Sequence, residues 1–168
     1  MLFRSGTPIQ SPGNAGSFLN GAGVNIRSGR GFGAVSGLST QFQMSGTTLL
    51  LAGMGCTMTP LVSGTMYFST SCQIATNVAS GTTNACQIYG TGAVPAQGTN
   101  SNVGQGTGYG TSFEANANTG GCWMPWSQMS IVATLTIGTQ YWGDIAISVP
   151  GGGGSGFAMW GMVWMAEF

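Results

Sequence analysis

Tyr141-Trp142-Gly143-Asp144-Ile145-Ala146-Ile147-Ser148-Val149, then Pro150 and the glycine-rich run 151–156, then Phe157-Ala158-Met159-Trp160-Gly161-Met162-Val163-Trp164-Met165-Ala166-Glu167-Phe168, is the stretch whose reading decides the fold. In its first half Tyr141, Ile145, Ile147 and Val149 recur at period two, with Trp142, Asp144, Ala146 and Ser148 between them. That alternation predicts a half-buried strand. The second half does not alternate: Phe157, Met159, Val163 and Met165 fall on one face, and Trp160, Met162, Trp164 and Phe168 on the other. A strand that is apolar front and back has to be covered on both sides. One cover is the domain's own core. The other is a second sheet or another copy of the chain, so Phe157, Trp160, Met162, Trp164 and Phe168 are the expected oligomer interface. In the competing reading, one face lies beneath the chain's own loops.

Outside this closing pair the composition is unusual. Charged residues make up 4% of the 168, with neither Lys nor His, against about 25% in ordinary domains. No apolar run approaches the roughly 20 residues of a spanning helix, so no membrane partner is expected. Met1-Leu2-Phe3-Arg4 leads into Ser5-Gly6-Thr7-Pro8 and not into an apolar stretch, so no secretory leader is expected. Such a surface suits a protein packed into an assembly better than a free enzyme. General acid–base and nucleophilic catalysis lean on His or a comparable base. Only Glu114, Asp144 and Glu167 offer carboxylates, and a paired arrangement of the glycosidase kind is not expected. Asp144 falls on the polar face of a strand, and Glu167 is next to last in the sequence. No enzyme, cofactor or metal site is therefore expected.

The charges are also segregated. Arg4, Arg27 and Arg30 are the basic residues, and no acid precedes Glu114. Residues 1–35 are rich in Gly, Ser and Asn, with scattered Phe3, Ile9, Phe18, Leu19, Val24, Ile26 and Phe32. They read as an extended N-terminal arm, with Arg4, Phe18, Arg27 and Arg30 as anchor candidates for a neighbouring surface; a disordered terminus is the alternative. Three arginines are too few to indicate nucleic acid.

Residues 36–168 read as one all-β domain. Glycine numbers 31, and no amphipathic helical run carries a cap. Residues 41–51 read as a strand or a broken pair. Met54, Cys56 and Met58 share a face, and Met66, Phe68, Thr70, Cys72 and Ile74 alternate with polar residues. A polar loop is expected at 77–84, then a strand with Cys86 and Ile88 inward. Tyr109 and Phe113 mark a short strand, 120–126 an aromatic knot, 130–135 another strand and 136–139 a turn. Seven or eight strands between Gly/Asn/Ser/Pro turns predict an antiparallel β-sandwich, jelly-roll-like, with an immunoglobulin-like meander as competitor. Cys56, Cys72, Cys86 and Cys122 lack zinc spacing. Cys72 and Cys86 are equidistant from Ala79, so a symmetric hairpin would set them opposite each other as a disulfide. Four buried free thiols are the alternative. Trp123, Trp126 and Tyr109 lie in loop-like sequence where stacking on a sugar is conceivable, although packing is the commoner use of tryptophan.

Two stretches are more specific than composition. Ile88-Tyr89-Gly90-Thr91-Gly92-Ala93-Val94-Pro95-Ala96-Gln97-Gly98 and Leu135-Thr136-Ile137-Gly138-Thr139-Gln140-Tyr141-Trp142-Gly143-Asp144-Ile145-Ala146 are accompanied by a Pro60…Ser63-Gly64 turn and a terminal Ala166-Glu167-Phe168. Together they resemble a group of small β-sandwich virion proteins of tailed bacteriophages and prophages, over residues 40–168. The resemblance implies a structural virion component, a capsid decoration (cement) protein, or alternatively a fibre or receptor/glycan-binding tip. It is expected to be made in the host cytoplasm and to end on the capsid surface. The implied partners are further copies of itself, most simply as a trimer, and the major capsid protein or a neighbouring virion protein. The four cysteines, the Met/Trp-rich last strand and the long arm depart from the group's pattern.

Overall fold

The structure, a computed structural model, describes residues 32–36, 41–77, 81–109, 113–115, 123–150 and 154–168. The expected anchor residues Arg4, Phe18, Arg27 and Arg30 lie outside them, as does Cys122. The strands are β1 (Phe32–Ser36), β2 (Phe42–Ser45), β3 (Leu50–Leu51), β4 (Cys56–Met58), β5 (Met66–Thr76), β6 (Gly81–Thr91), β7 (Gln105–Tyr109), β8 (Phe113–Ala115), β9 (Met124–Val132), β10 (Tyr141–Ser148) and β11 (Ser155–Glu167). One 3-10 turn, Ser101–Val103, precedes β7.

These strands form two antiparallel sheets. In the first the order is β1-β11-β5-β9, with β2 continuing the β1 position along β11. In the second it is β3-β10-β6-β7, with β4 continuing β3 and β8 continuing β7. The pairing nests: β1 and β2 with β11, β3 and β4 with β10, β5 with β9, and β6 with β7 and β8. A long hairpin of four nested pairs, wrapped so that its strands alternate between sheets, is a jelly roll. The expected fold class is what the strand pairing forms. Residues 32–35, assigned by sequence to the arm, belong with Ser36 to the first sheet.

The interior is apolar and closely filled. Met66, Phe68 and Ile74 of β5 and Val163 and Met165 of β11 meet Ile145 and Ile147 of β10 and Met54, Cys56 and Met58. Burial of one such side chain contributes about 1.5–3 kcal/mol. Polar side chains of β6 also cross this layer, Thr83 Oγ1 donating to Ala75 O of β5 at 2.9 Å. Gln87 of β6 is fully buried; its Nε2 donates to Phe68 O at 3.1 Å, Thr70 Oγ1 at 3.0 Å and Gln128 O at 2.9 Å, and its Oε1 accepts from Ser130 Oγ. A buried amide is tolerated only when so satisfied. Here it also ties β6 across the sandwich to β5 and β9.

Several expectations change. β5 and β6 do not form a hairpin, because β5 lies between β11 and β9 while β6 lies in the other sheet. β6 also starts at Gly81, inside the stretch read as loop. Its inward residues are Ala85, Gln87 and Tyr89; Cys86 and Ile88 point to the outer side, into a second cluster with Leu51, Trp142 and Ala146. Parity was misread because the interior position holds a glutamine. β10 and β11 are not paired with each other, since each is the centre of its own sheet. The region read as an aromatic knot runs into β9, and that strand ends at Val132.

The largest reversal concerns which strand is covered twice. All eight residues of β10 are buried. Its outer face holds Trp142 and Ala146 beneath residues Leu49 and Val94 of the chain's own loops. The two stretches behind the family resemblance meet here, with Trp142 opposite Gly90 in the register. A Cβ on Gly90 would sit 2.8 Å from Cε2, Cζ2 and Nε1 of the Trp142 indole. Gly90→Ala is expected to cost about 1–3 kcal/mol, the range for overpacking, read as a lower denaturation midpoint with unchanged slope in urea.

Candidate functional site

The outer face of the first sheet is the surface to which the sequence pointed. Along β11 the inward residues are Gly156, Ala158, Gly161, Val163, Met165 and Glu167, all buried. Phe157, Met159, Trp160, Met162, Trp164, Ala166 and Phe168 are the residues exposed or half-buried between them. Two outward residues are consecutive because the register shifts between Met159 and Met162, a β-bulge. Trp160 takes φ 50° there, a backbone conformation uncommon for a bulky side chain. Gly161 follows and turns inward; a Cβ on it would fall on Met54 Sδ. The bulge corrects the sequence reading in one respect: Phe157 and Met159 leave the face of Val163 and Met165 and join that of Trp160 and Met162. All five expected interface residues thereby stand on one face.

Neighbouring strands extend this face. β5 adds Tyr67, Ser69, Ser71, Gln73 and Ala75, and β9 adds Pro125, Ser127, Met129 and Ile131, aligned row by row. Met129 is 69% exposed, Ile131 61%, Phe168 59%, Trp160 58% and Met162 48%. Trp123 stands with its ring centroid 6.3 Å from Phe157 and 6.3 Å from Trp160, tilted by 55° and 42°. Phe168 closes the other end, edge-on to Tyr67 at 4.9 Å. Trp126, by contrast, is buried at 3% exposure, so Trp123 and Trp126 form no joint stacking platform. The sequence missed β9's share of the face because 120–126 reads as a loop and Met129 lies among polar neighbours.

Asp144, expected on the polar face of its strand, and Glu167 are buried acceptors. β3 and β4 pair with opposite ends of β10, leaving a break at 52–55. Ile145 O accepts from Ala52 N at 2.8 Å. Asp144 Oδ2 accepts from Gly53 N at 3.0 Å, and Oδ1 from Met54 N at 3.0 Å and Ile145 N at 2.7 Å. Burial pushes the Asp144 carboxyl up from 3.8 to about 6, with the three N–H donors pulling the other way. Glu167 is held by the 60–64 turn: Oε2 accepts from Leu61 N at 2.8 Å, and Oε1 from the N–H groups of Val62, Ser63 and Gly64. The turn and the C-terminal Glu of the resemblance are therefore in direct contact.

The Cys72–Cys86 bridge does not form. Both are free buried thiols. Cys72 sits in the interior cluster and Cys86 in the outer cluster of the other sheet. The proposed register fails because their strands do not pair. Burial raises Cys72 to about 12 and Cys86 to about 11; burial and then the neighbouring Asp144 charge raise Cys56 to about 11. Neutral buried thiols pack as small apolar groups. Among the described residues no cluster of three or more metal-ligating side chains occurs, and no helix is long and apolar enough to cross a membrane.

Strand pairing and face together define a two-sheet jelly roll with one outer sheet face apolar and uncovered among the described residues. No family model matches the sequence, and no curated protein does. Among solved structures, the chain is similar to an Eiger TNF from S. frugiperda, with TM-score 0.49 and 4% identity over 82% of this chain and 91% of that one. It is also similar to a chain in the structure of infectious bursal disease virus, Gx strain, with TM-score 0.36 and 16% identity over 81% of this chain and 32% of that one. Neither likeness, at these values, assigns a role.

Asp144 yields a pH prediction. Its folded value lies above its unfolded one, so the folded chain keeps a proton that the unfolded chain has released. That contribution is complete below about pH 4 and is lost as pH rises through about 6, at most about 3 kcal/mol. Denaturant unfolding at pH 4 and pH 7 is expected to show this decline in the wild type and not in Asp144→Asn.

Proposed function

We propose that the protein is a structural component of a bacteriophage virion, a decoration protein that self-associates and binds the capsid shell, and not an enzyme. The observation that carries this reading is the apolar outer face of the β1-β11-β5-β9 sheet. Monomers seldom expose a contiguous apolar patch larger than a few hundred Å² without a use for it. Trp and Met are enriched where protein interfaces are most buried. The near absence of charge fits a surface spent on neighbours. Jelly rolls recur in viral capsid proteins and also in lectins and cupins; the fold alone therefore leaves the role open, and the face supports the assembly reading.

In this reading the part of the arm before β1, residues 1–31, supplies the shell contact through Arg4, Phe18, Arg27 and Arg30, a basic element on an acidic body. Its partner is the major capsid protein or another virion protein. The fibre-tip alternative loses the paired Trp123/Trp126 platform that would have favoured it.

The test is cosedimentation of the purified chain with particles that lack it. Binding is expected. Reversing Arg4, Arg27 and Arg30 to Glu is expected to weaken it about tenfold or more in low salt, with self-association unchanged. A wild-type chain that never pellets with particles, and binds host cells instead, contradicts the decoration role.

A further inference from the structure

The register across the outer face of the first sheet contains a size pattern. Reading β5 against β11 row by row gives Tyr67 beside Ala166, Ser69 beside Trp164, Ser71 beside Met162, Gln73 beside Met159 and Ala75 beside Phe157. Four of the five rows set one large side chain against one small one. β11 is thus a ridge and β5 a trough for most of the length of the face, inverted at Tyr67 and Ala166. The trough is closed by Tyr67 with Phe168 at one end and by Trp123 with Phe157 at the other.

We propose that this face is closed by the same face of a second copy, across a twofold axis running along the strands between β11 and β5. The inference rests on the reading of this face as a subunit contact and names its geometry. Such an axis exchanges β11 with β5 while keeping each row in place. Met162 of one copy then lies over Ser71 of the other, Phe157 over Ala75, and Ala166 over Tyr67. Every size mismatch within the sheet becomes a match between sheets, and each contact is made twice, as an isologous interface requires. Facing sheets pack about 10 Å apart with strands within about 30° of alignment, which keeps the central rows in step. A threefold arrangement, the expectation from sequence, does not return the ridge to its own trough.

Area supports a second copy as the occupant. Four strands about 4.8 Å apart and nine residues rising about 3.3 Å each span roughly 19 by 30 Å. A face-to-face pair therefore removes on the order of 1,000 Å² or more, the size a specific interface needs. Among the described residues the edges of this face add exposed Gln43, Ser45 and Ser127 beside Met129 and Ile131 and no charged side chain, so none of these opposes the approach of identical faces electrostatically.

The test uses the full chain in light scattering after size exclusion. The wild type is expected at twice 17.0 kDa. Met162→Glu and Ser71→Arg are each expected to elute at the single-chain mass with far-UV circular dichroism retained. Mixed, they are expected to recover the pair, because the introduced acid on one copy meets the introduced base on the other. Ser71→Cys, a change small enough to preserve the fold, is expected to be joined into dimers by a short bis-maleimide. A wild type at three times the chain mass, failure of the mixed variants to pair, or absence of the cross-link overturns the twofold contact and leaves the assembly reading standing. A wild type that is a single chain at every concentration, with its face covered by its own arm or awaiting a different protein, overturns both.

Discussion

The placement of β11 governs the rest of the structure. It is the central strand of its sheet, flanked by β1 and β2 on one side and β5 on the other, and it carries large apolar residues on both faces. One face closes the interior against β10. The bulge at Trp160 and Gly161 then prevents the other face from being lost to parity. Without the extra residue, Phe157 and Met159 would turn inward in place of Ala158, into an interior that Val149 and Met54 already help to fill. The chain accepts an unfavourable backbone conformation at Trp160, which costs of order 1–3 kcal/mol at such sites, and gains a continuous apolar ridge outside.

The few ionisable groups serve this architecture internally. Two of the three acids, Asp144 and Glu167, accept backbone N–H groups at places where strand pairing stops: the break between β3 and β4, and the turn before β5. Gln87 does the comparable work between the sheets. A jelly roll has many such interruptions, since its long hairpin must change sheets repeatedly, and each leaves donors without ladder partners. With so few charges, polar satisfaction is concentrated inside the fold. The carboxylates of Asp144 and Glu167 are thereby kept off the outer faces, which lowers the desolvation cost when two such surfaces meet.

Much of this was legible in the sequence. Period-two alternation located β5, β4 and β10, a run apolar on both faces marked β11, and strand number with turn composition pointed to the sandwich. The residues of the outer face, Phe157, Trp160, Met162, Trp164 and Phe168, were legible because apolar residues on consecutive positions cannot all be inside. What was not legible is long-range. Nothing local says that the loop after β5 crosses to the other sheet and does not close a hairpin, so Cys72 and Cys86 were set opposite each other. A glutamine at an interior position inverted the parity of β6. Asp144 looked exposed because alternation reports a face and not what lies over it; the cover comes from residues fifty or ninety positions away in sequence. For the same reason β10 looked half-buried and is buried on both sides.

The central claim is that the β11 face is covered by another copy in solution, and dilution combined with hydroxyl-radical footprinting addresses it most directly. Met129, Trp160 and Met162 of the outer face are the reporters, with Leu61, Val62 and Ile137 of the exposed loops as internal standards. The account predicts that the first group is protected relative to the second at high protein concentration and that protection disappears on dilution. Oxidation of Met129, Trp160 and Met162 at the rate of the exposed loops under all conditions, or protection that dilution does not relieve, would contradict it.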